Sequence, residues 1–450
     1  MHMAKSTDRY QWFANSGPGK LLVGKLGLPE PTPLRRYEPG QALLTGPALV
    51  AGDGRLAKQV TGQLRGAGAH VLEEPGNDRY GALVFDASGV SGPEGLREMY
   101  EFFHPVIRSL APNARVLVLG TPPESVSQVP GKVAQRALEG FVRSVGKELK
   151  RGATAQLVYV ARGAEESVES TIRFLLSAKS AYVDAQVVRV GTKNGAPVEL
   201  PENWERPLEG KTAVVTGASR GIGAAIAEVF ARDGAHVIGV DVPAQGGDLA
   251  KTINKVGGSA LQLDITAEDA GQKLIEFCVQ RRGGLDIIVH NAGITRDRTL
   301  GKMSDAEWDS ALAVNLISQL RINDALLASE AFGNGGRIIG VSSMAGIAGN
   351  FGQTNYATTK AGVIGMVDGL SGKVAKAGAT INAVAPGFIE TKMTAAMPLF
   401  TREIGRRLNS LSQGGHPVDV AETIAWYANP ASGAVNGNVV RVCGQNLLGA

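Results

Sequence analysis

The feature that most narrows what this chain can fold into is an alternation of short apolar runs and helically spaced segments, carried through twice. In the first pass the runs ALVAG, AHVLE, GALVFDA, RVLVLG and AQLVYV read as buried strands. Between them, LAKQVTGQLRGAG and VAQRALEGFVRSVGKELKRG carry apolar residues at helical spacing. In the second pass TAVVTG, AHVIGVD, ALQLD, DIIVHNAG, RIIGVSS and TINAVAPG take the strand role. Strands that alternate with helices imply a parallel sheet covered on both faces. The passes also share wording. GAGAHV ending at Val71 matches RDGAHV ending at Val237, RVLVLGT from Arg115 parallels RIIGVSS from Arg337, and RGATAQLVYV parallels AGATINAVAP. The expectation is an α/β protein built as an internal duplication of one doubly wound, Rossmann-like unit.

The length of 450 residues suits two or three domains, and the proposed boundaries follow composition. Residues 1–45, rich in Pro and Gly, read as an arm laid over the surface. Residues 46–190 form the first domain, the polar stretch 191–210 a linker, and residues 211–450 the second domain. Within the arm, Ser16–Lys20 resembles a phosphate loop, but Ala14 and Leu21 stand where that motif needs Gly and Ser or Thr. A net charge of +4 is too small an excess to suggest a nucleic-acid partner. Cys278 and Cys443 match neither a disulfide framework nor a metal-ligand spacing, so no metal is expected. The N-terminus lacks the apolar core of a signal peptide, and no stretch is apolar enough to span a bilayer, so no membrane association and a cytoplasmic location are expected.

The first chemical motif is Gly217-Ala218-Ser219-Arg220-Gly221-Ile222-Gly223, which follows a strand and opens a helix. Glycines there let the backbone turn tightly and approach a dinucleotide pyrophosphate, whose charge rests on the helix N-terminus. A lone Gly-rich turn is weak evidence. The next strand ends at Asp241, where a carboxylate accepts hydrogen bonds from the adenosine ribose and repels a 2′-phosphate, which favours NAD. Arg220 points the other way, because a guanidinium in the turn could hold that phosphate. Asp264, ending the third strand, is placed either to reach the adenine or to cap a helix. Asn291-Ala292-Gly293, after the fourth, would close the cofactor floor with small side chains.

Tyr356 and Lys360 lie four apart in a helical segment, so both project from one face. A phenol, with its pKa of about 10, gives up a proton readily only beside a cation that stabilises its phenolate. Lys360 supplies that cation and can also hold the nicotinamide ribose. Ser343, ending the strand RIIGVSS, can hydrogen-bond a substrate carbonyl and align it with Tyr356. Asn315 is polar among apolar neighbours and could hold a water that relays protons to Lys360. Taken singly, each has an ordinary structural reading: a surface neighbour pair, a turn, a filled polar gap. Their order after a dinucleotide turn points to catalysis.

Together TGASRGIG, HNAG, Asn315, SSMAG, YATTK and PGFIETKMT resemble a short-chain dehydrogenase/reductase of the 3-oxoacyl-[acyl-carrier-protein] reductase group. The resemblance runs from Lys211 to Ala450, and its one departure is His290, where the family usually has Asn. The whole layout is similar to the high-molecular-weight, two-domain form of that reductase. That form has a flavodoxin-like N-terminal domain and prefers NADH, which implies NADH here, with NADPH left open. The resemblance implies hydride transfer to the C3 ketone of a 3-oxoacyl thioester, carried by acyl carrier protein or coenzyme A, in fatty acid biosynthesis or related lipid metabolism. It implies Ile265 beside Asp264 in the cofactor site, and Pro386, Gly387, Ile389 and Thr391 at the nicotinamide carboxamide. AAMPLFTREIGRRLNSL would form the substrate lid. Its Arg402, Arg406 and Arg407 either meet an acidic carrier helix or coenzyme A phosphates, or form a solvated helix face.

The first domain keeps the layout without the chemistry. ALVAGDGRLAKQV loses the glycine spacing, and Thr121 stands near the Ser343 position. Either Gly131 and Gln135, or Ala134 and Leu138, replace Tyr356 and Lys360. The long helices around EFFHPVIRSL and RALEGFVRSVGKEL survive, and the corresponding family helices form the main oligomer contact. The expectation is a homodimer in which this domain packs on the catalytic domain as a decayed partner. Two alternatives remain: an NAD-dependent secondary alcohol or 3-hydroxyacyl-coenzyme A dehydrogenase, and a non-catalytic NAD-responsive binding protein.

Overall fold

Two all-parallel sheets account for the double alternation. The computed structural model describes residues 8–26, 28–395 and 397–446. Of the expected arm, residues 1–7 and 27 lie outside the described residues, as do Ala396 of the lid segment and the last four residues of the second domain.

The first sheet contains β1 (Ala48–Ala51), β2 (Val71–Leu72), β3 (Tyr80–Asp86), β4 (Leu110–Gly120), β5 (Thr154–Val160) and β6 (Val187–Val190), in the order β2-β1-β3-β4-β5-β6. The second contains β7 (Thr212–Thr216), β8 (His236–Asp241), β9 (Ser259–Gln262), β10 (Ile287–His290), β11 (Arg337–Val341), β12 (Thr380–Pro386) and β13 (Val439–Val442). Its order is β13-β12-β11-β10-β7-β8-β9. The first sheet follows the flavodoxin-like order, and the second adds a strand to give the dinucleotide-binding order. The order reverses between β1 and β3 in one sheet and between β7 and β10 in the other, the crevice where such folds bind ligands.

The repetition reaches individual hydrogen bonds. Asp184 Oδ1 accepts from Ala155 N at 2.9 Å, and Asn436 Oδ1 accepts from Ile381 N at 3.0 Å. Gln156 Nε2 donates to Val183 O at 2.6 Å, and Asn382 Nδ2 donates to Val435 O at 2.8 Å. Buried polar groups need partners, so both copies keep the same solution with different amide and carboxylate side chains.

The edges β6 and β13 meet through reciprocal bonds. Gln186 Oε1 accepts from Arg441 N and Asn438 Oδ1 accepts from Arg189 N, both at 2.9 Å. Phe174 and Trp426, which hold corresponding places in the two copies, stack on each other with centroids 4.8 Å apart and planes 2° from parallel. Each residue facing the counterpart of itself is the mark of a two-fold contact. One apolar core runs through this seam, from Val158 and Tyr182 to Ile424 and Tyr427, while separate cores cover the outer face of each sheet. Full burial of aromatic rings like these contributes on the order of 2–3 kcal/mol each. The contact therefore runs mainly through the Glu169–Leu176 and Pro417–Ala428 helices and the edge strands. Of the helices around EFFHPVIRSL and RALEGFVRSVGKEL, the second also reaches the other copy, Gln445 Nε2 donating to Arg143 O at 2.6 Å, while Tyr100, Val129 and Val133 are exposed.

Two further departures appear. The arm holds helices Arg9–Ala14 and Gly17–Leu26, the first capped by Asp8, whose side chain accepts from Gln11 N. The linker adopts no strand or helix but lies along the second domain, with Gly191 N donating to Ala434 O and Ala196 N to Gly433 O.

Candidate active site

The crevice at the sheet reversal is assembled from four strand ends. After β7, Gly217 and Gly221 adopt φ values of +68° and +60°, the region glycine favours. A Cβ on Gly223 would fall 2.1 Å from Gly217 O, so that position must be glycine for the Gly221–Arg232 helix to seat on its turn. Asn291, just past β10, ties the turn down: its Nδ2 donates to Thr216 O at 3.0 Å and to Gly217 O at 3.2 Å. Ala292 packs against Gly217, where a Cβ would meet Ala292 Cα at 2.9 Å.

A dinucleotide fits these residues. The Gly221–Arg232 helix starts at Arg220 without a side-chain cap and has no acidic residue in its first turn, so its N-terminal donors face the crevice without a competing carboxylate. Ser219 and Ile222 belong to the same turn. Asp241 closes β8, its carboxylate accepting from Ser219 N at 3.2 Å and Val242 N at 2.9 Å. Arg220 is exposed. Asp264 does not end a strand, because β9 stops at Gln262. Neither does it cap a helix: its Oδ1 accepts from the Thr266 N–H and hydroxyl at 2.9 and 2.7 Å, an Asx turn that leaves Asp264 exposed beside buried Ile265.

The first domain's equivalent turn is closed from within. Asp86, the last residue of β3, holds the place that Asn291 has after β10, and its Oδ2 accepts from Leu56 N at 2.6 Å and Ala57 N at 2.7 Å. The carboxylate thus sits where a phosphate would. A Cβ on Gly54 would lie 2.3 Å from Asp86 Oδ1. Asp53, Glu94 and Glu98 line the same hollow, so it repels anions. Arg55, where the second domain has Arg220, is paired with Glu165 at 2.5 Å. Gln135 turns toward Thr121 N, Ala87 O and Val90 O at 2.8, 2.8 and 2.9 Å. That contact resolves the two alternatives: Gln135 holds the place of Lys360, and Gly131 that of Tyr356.

In the second domain the helix Thr354–Lys376 carries Tyr356 and Lys360 beneath the end of β11. Lys360 Nζ donates to Val341 O at 2.7 Å and stands 5.6 Å from the Tyr356 ring centroid. Burial pushes the Lys360 ammonium down to about 8. Burial also raises the Tyr356 phenol above its ordinary value, against a hydrogen bond with Ser343 that lowers it. Ser343 caps the short helix Met344–Ala348, its Oγ accepting from Ala345 N at 3.1 Å.

Asn315 lies in a π-helical turn, Ala313–Ile317. Such turns often mark functional sites. Its Oδ1 accepts from Ile294 N at 2.8 Å, and its Nδ2 donates to Ile294 O at 3.0 Å and Thr359 Oγ1 at 3.1 Å. Both ends of the amide are engaged, so the side chain locks the loop after β10 onto the Tyr356 helix. Gly293 lies between the parts: a Cβ there would be 3.3 Å from Asn315 Oδ1 and 3.4 Å from Lys360 Nζ.

Pro386 ends β12, and Gly387 N donates to Val442 O at 3.0 Å. A Cβ on Gly387 would meet Cys443 Cβ at 2.6 Å. Ile389 is buried, and Thr391 N donates to Thr394 Oγ1 at 2.9 Å. In the lid segment, Leu399–Arg407 is helical. Arg406 is buried and paired with Glu390 and Glu403, and Arg407 is paired with Asp8 and Glu403. These two guanidiniums already have internal carboxylates, so neither expected role, on a carrier or in solvent, is theirs. Sequence reasoning missed β6 and β13, although both read VVRV. Both cysteines are free and buried. Among the described residues no helix is long and apolar enough to cross a membrane.

The second domain is similar to known proteins. A short chain dehydrogenase family model matches residues 211–400. The 3-oxoacyl-[acyl-carrier-protein] reductase of Vibrio cholerae is 40% identical over 237 residues, which cover 53% of this chain and 97% of that protein. The enzyme of the same name from Thermotoga maritima is 40% identical over 240 residues, 53% of this chain and 98% of its own. The Escherichia coli enzyme is 39% identical over 242 residues, 53% and 97%. The chain belongs to the short-chain dehydrogenase/reductase family. It is an oxidoreductase of the nicotinamide-dependent kind.

Proposed function

We propose that the chain reduces the C3 ketone of a 3-oxoacyl thioester with NADH, in fatty acid biosynthesis or related lipid metabolism. The observation that carries this reading is the buried Lys360 ammonium 5.6 Å from the Tyr356 ring centroid, with Ser343 opposing the rise that burial imposes on the phenol. The relatives named above are reductases of 3-oxoacyl groups on acyl carrier protein, and the match to the second domain spans 97% and 98% of their lengths. The cofactor, when bound, supplies the hydride. Ser343 and Tyr356 hold the ketone oxygen, and Tyr356 delivers the proton as that oxygen gains charge. Lys360 stabilises the phenolate left behind and holds the nicotinamide ribose. Asn315 keeps the floor loop in register with the Tyr356 helix.

Asp241 supports NADH over NADPH, because its carboxylate lies beside the turn at Ser219 N, where a 2′-phosphate would meet it. The first domain packs on the second in the manner of a partner subunit, and a homodimer of such chains would present four sheets. Acetoacetyl-coenzyme A offered with either cofactor tests the reading by absorbance. NADH should be consumed at least about tenfold faster than NADPH, and Asp241→Ala should narrow that gap. Consumption of neither cofactor, or of NADPH alone, would contradict it.

A further inference from the structure

The lid helix is held from both sides by ion pairs that the catalytic reading does not use. On its inner side Arg406, only 2% exposed, donates from Nη2 to Glu390 Oε2 at 2.9 Å and from Nε to Glu390 Oε1. Glu390 stands between Ile389 and Thr391, in the loop the family motif places at the nicotinamide, and its N–H donates to Gly415 O. Gly405 lets the helix press on that loop: a Cβ there would come within 2.6 Å of the Phe388 ring.

On its outer side Arg407 forms a two-point pair with Asp8, Nη2 to Oδ1 at 2.6 Å and Nη1 to Oδ2 at 2.7 Å. Its guanidinium also lies 4.7 Å from the Tyr10 ring centroid. The turn after the helix is gripped by the same parts of the chain. Gln11 Nε2 donates to Gln413 Oε1 at 2.9 Å, Gln413 Nε2 donates to Thr32 O at 2.8 Å, and the fully buried Tyr182 donates from its hydroxyl to Gln413 O at 2.8 Å. The arm and the first domain thus converge on one short segment of the second domain. Bidentate guanidinium–carboxylate pairs fix orientation as well as distance. A helix placed between two of them cannot move from the cofactor loop without breaking one.

We propose that Arg406 and Arg407 are positioning residues that suspend the lid helix between the nicotinamide loop and the N-terminal helix, so that Asp8, far outside the catalytic half, sets the affinity for the acyl substrate. The proposal rests on the reductase reading for its substrate. The suspension itself is independent of turnover. Loss of the outer pair leaves the crevice intact and loosens only its cover, so substrate affinity falls while chemistry and cofactor affinity hold. Loss of the inner pair disturbs the loop at the nicotinamide as well.

The test uses the full chain with Asp8→Asn, Arg407→Gln, Arg406→Gln and Arg406→Lys. Kinetics with acetoacetyl-coenzyme A, fluorescence titration of NADH, thermal unfolding, and hydrogen exchange over residues 399–408 are read on each. Asp8→Asn and Arg407→Gln should each raise KM about fivefold, with kcat, NADH affinity and unfolding midpoint unchanged, and combining them should add little. Arg406→Gln should weaken NADH binding too, with partial recovery in Arg406→Lys. Exchange over 399–408 should quicken in Asp8→Asn with NADH bound. An unchanged KM in Asp8→Asn, or a rise matched by an equal loss of thermal stability in every variant, would overturn the proposal. Should the wild type reduce no thioester, the substrate reading fails, and the exchange result decides the suspension alone.

Discussion

At Lys360 a single buried charge links the fold to a pH dependence. Its Nζ donates to a backbone carbonyl, Val341 O, and burial lowers its ammonium from 10.5 to about 8. The Tyr356 phenol moves the opposite way, upward, so the lysine is the first of the two to lose its proton as pH rises. Below about 8 the cation is present and supports the phenolate. Above it that support fades. The free enzyme's kcat/KM should therefore fall as pH rises through about 8, and Lys360→Arg should displace that limb upward in whatever activity remains. A profile flat to pH 10 would contradict the assignment. These proposed catalytic residues were legible in the sequence because their chemistry is local: four residues apart on a helix, a serine at a strand end. Arg406 and Arg407 were not legible. Their partners include Asp8, at the other end of the chain, and charge alone does not reveal what it faces.

At the scale of elements, the strands that alternate with helices were readable because burial on both faces leaves unbroken apolar runs. The two edge strands were hidden, since VVRV is short and follows irregular chain. Only its repetition could have pointed to it. The arm helices were obscured by composition. Gly17–Leu26 begins with Gly-Pro-Gly, which reads as a turn, yet proline suits a first helical turn and Gly19 sits where a Cβ would fall 1.8 Å from Phe13 O. The degenerate turn of the first domain was partly legible, as lost glycine spacing. That Asp86 closes it became visible only when β1 and β3 were paired side by side.

Across the whole molecule, the two copies depend on each other at a seam that hides Phe174, Trp426, Tyr182 and Tyr427. Residues 211–450 made alone would expose one half of that seam and strip Phe174 from the face of Trp426. Such a fragment should unfold about 10 °C or more below the full chain and lose most of its activity. A fragment that stays stable and fully active would show that the first domain is dispensable. The duplication was legible from shared wording. The side on which the copies meet was not, because an apolar face read from sequence does not reveal which other face covers it.

The central claim is that Tyr356 gives the proton to a ketone held in the crevice. Its most direct test is Tyr356→Phe in the full-length protein, with NADH binding followed by fluorescence and acetoacetyl-coenzyme A reduction by absorbance. The account predicts NADH affinity within about twofold of wild type and turnover reduced at least about a hundredfold, the scale of a lost general acid. Turnover within a few-fold of wild type, with binding intact, would contradict it.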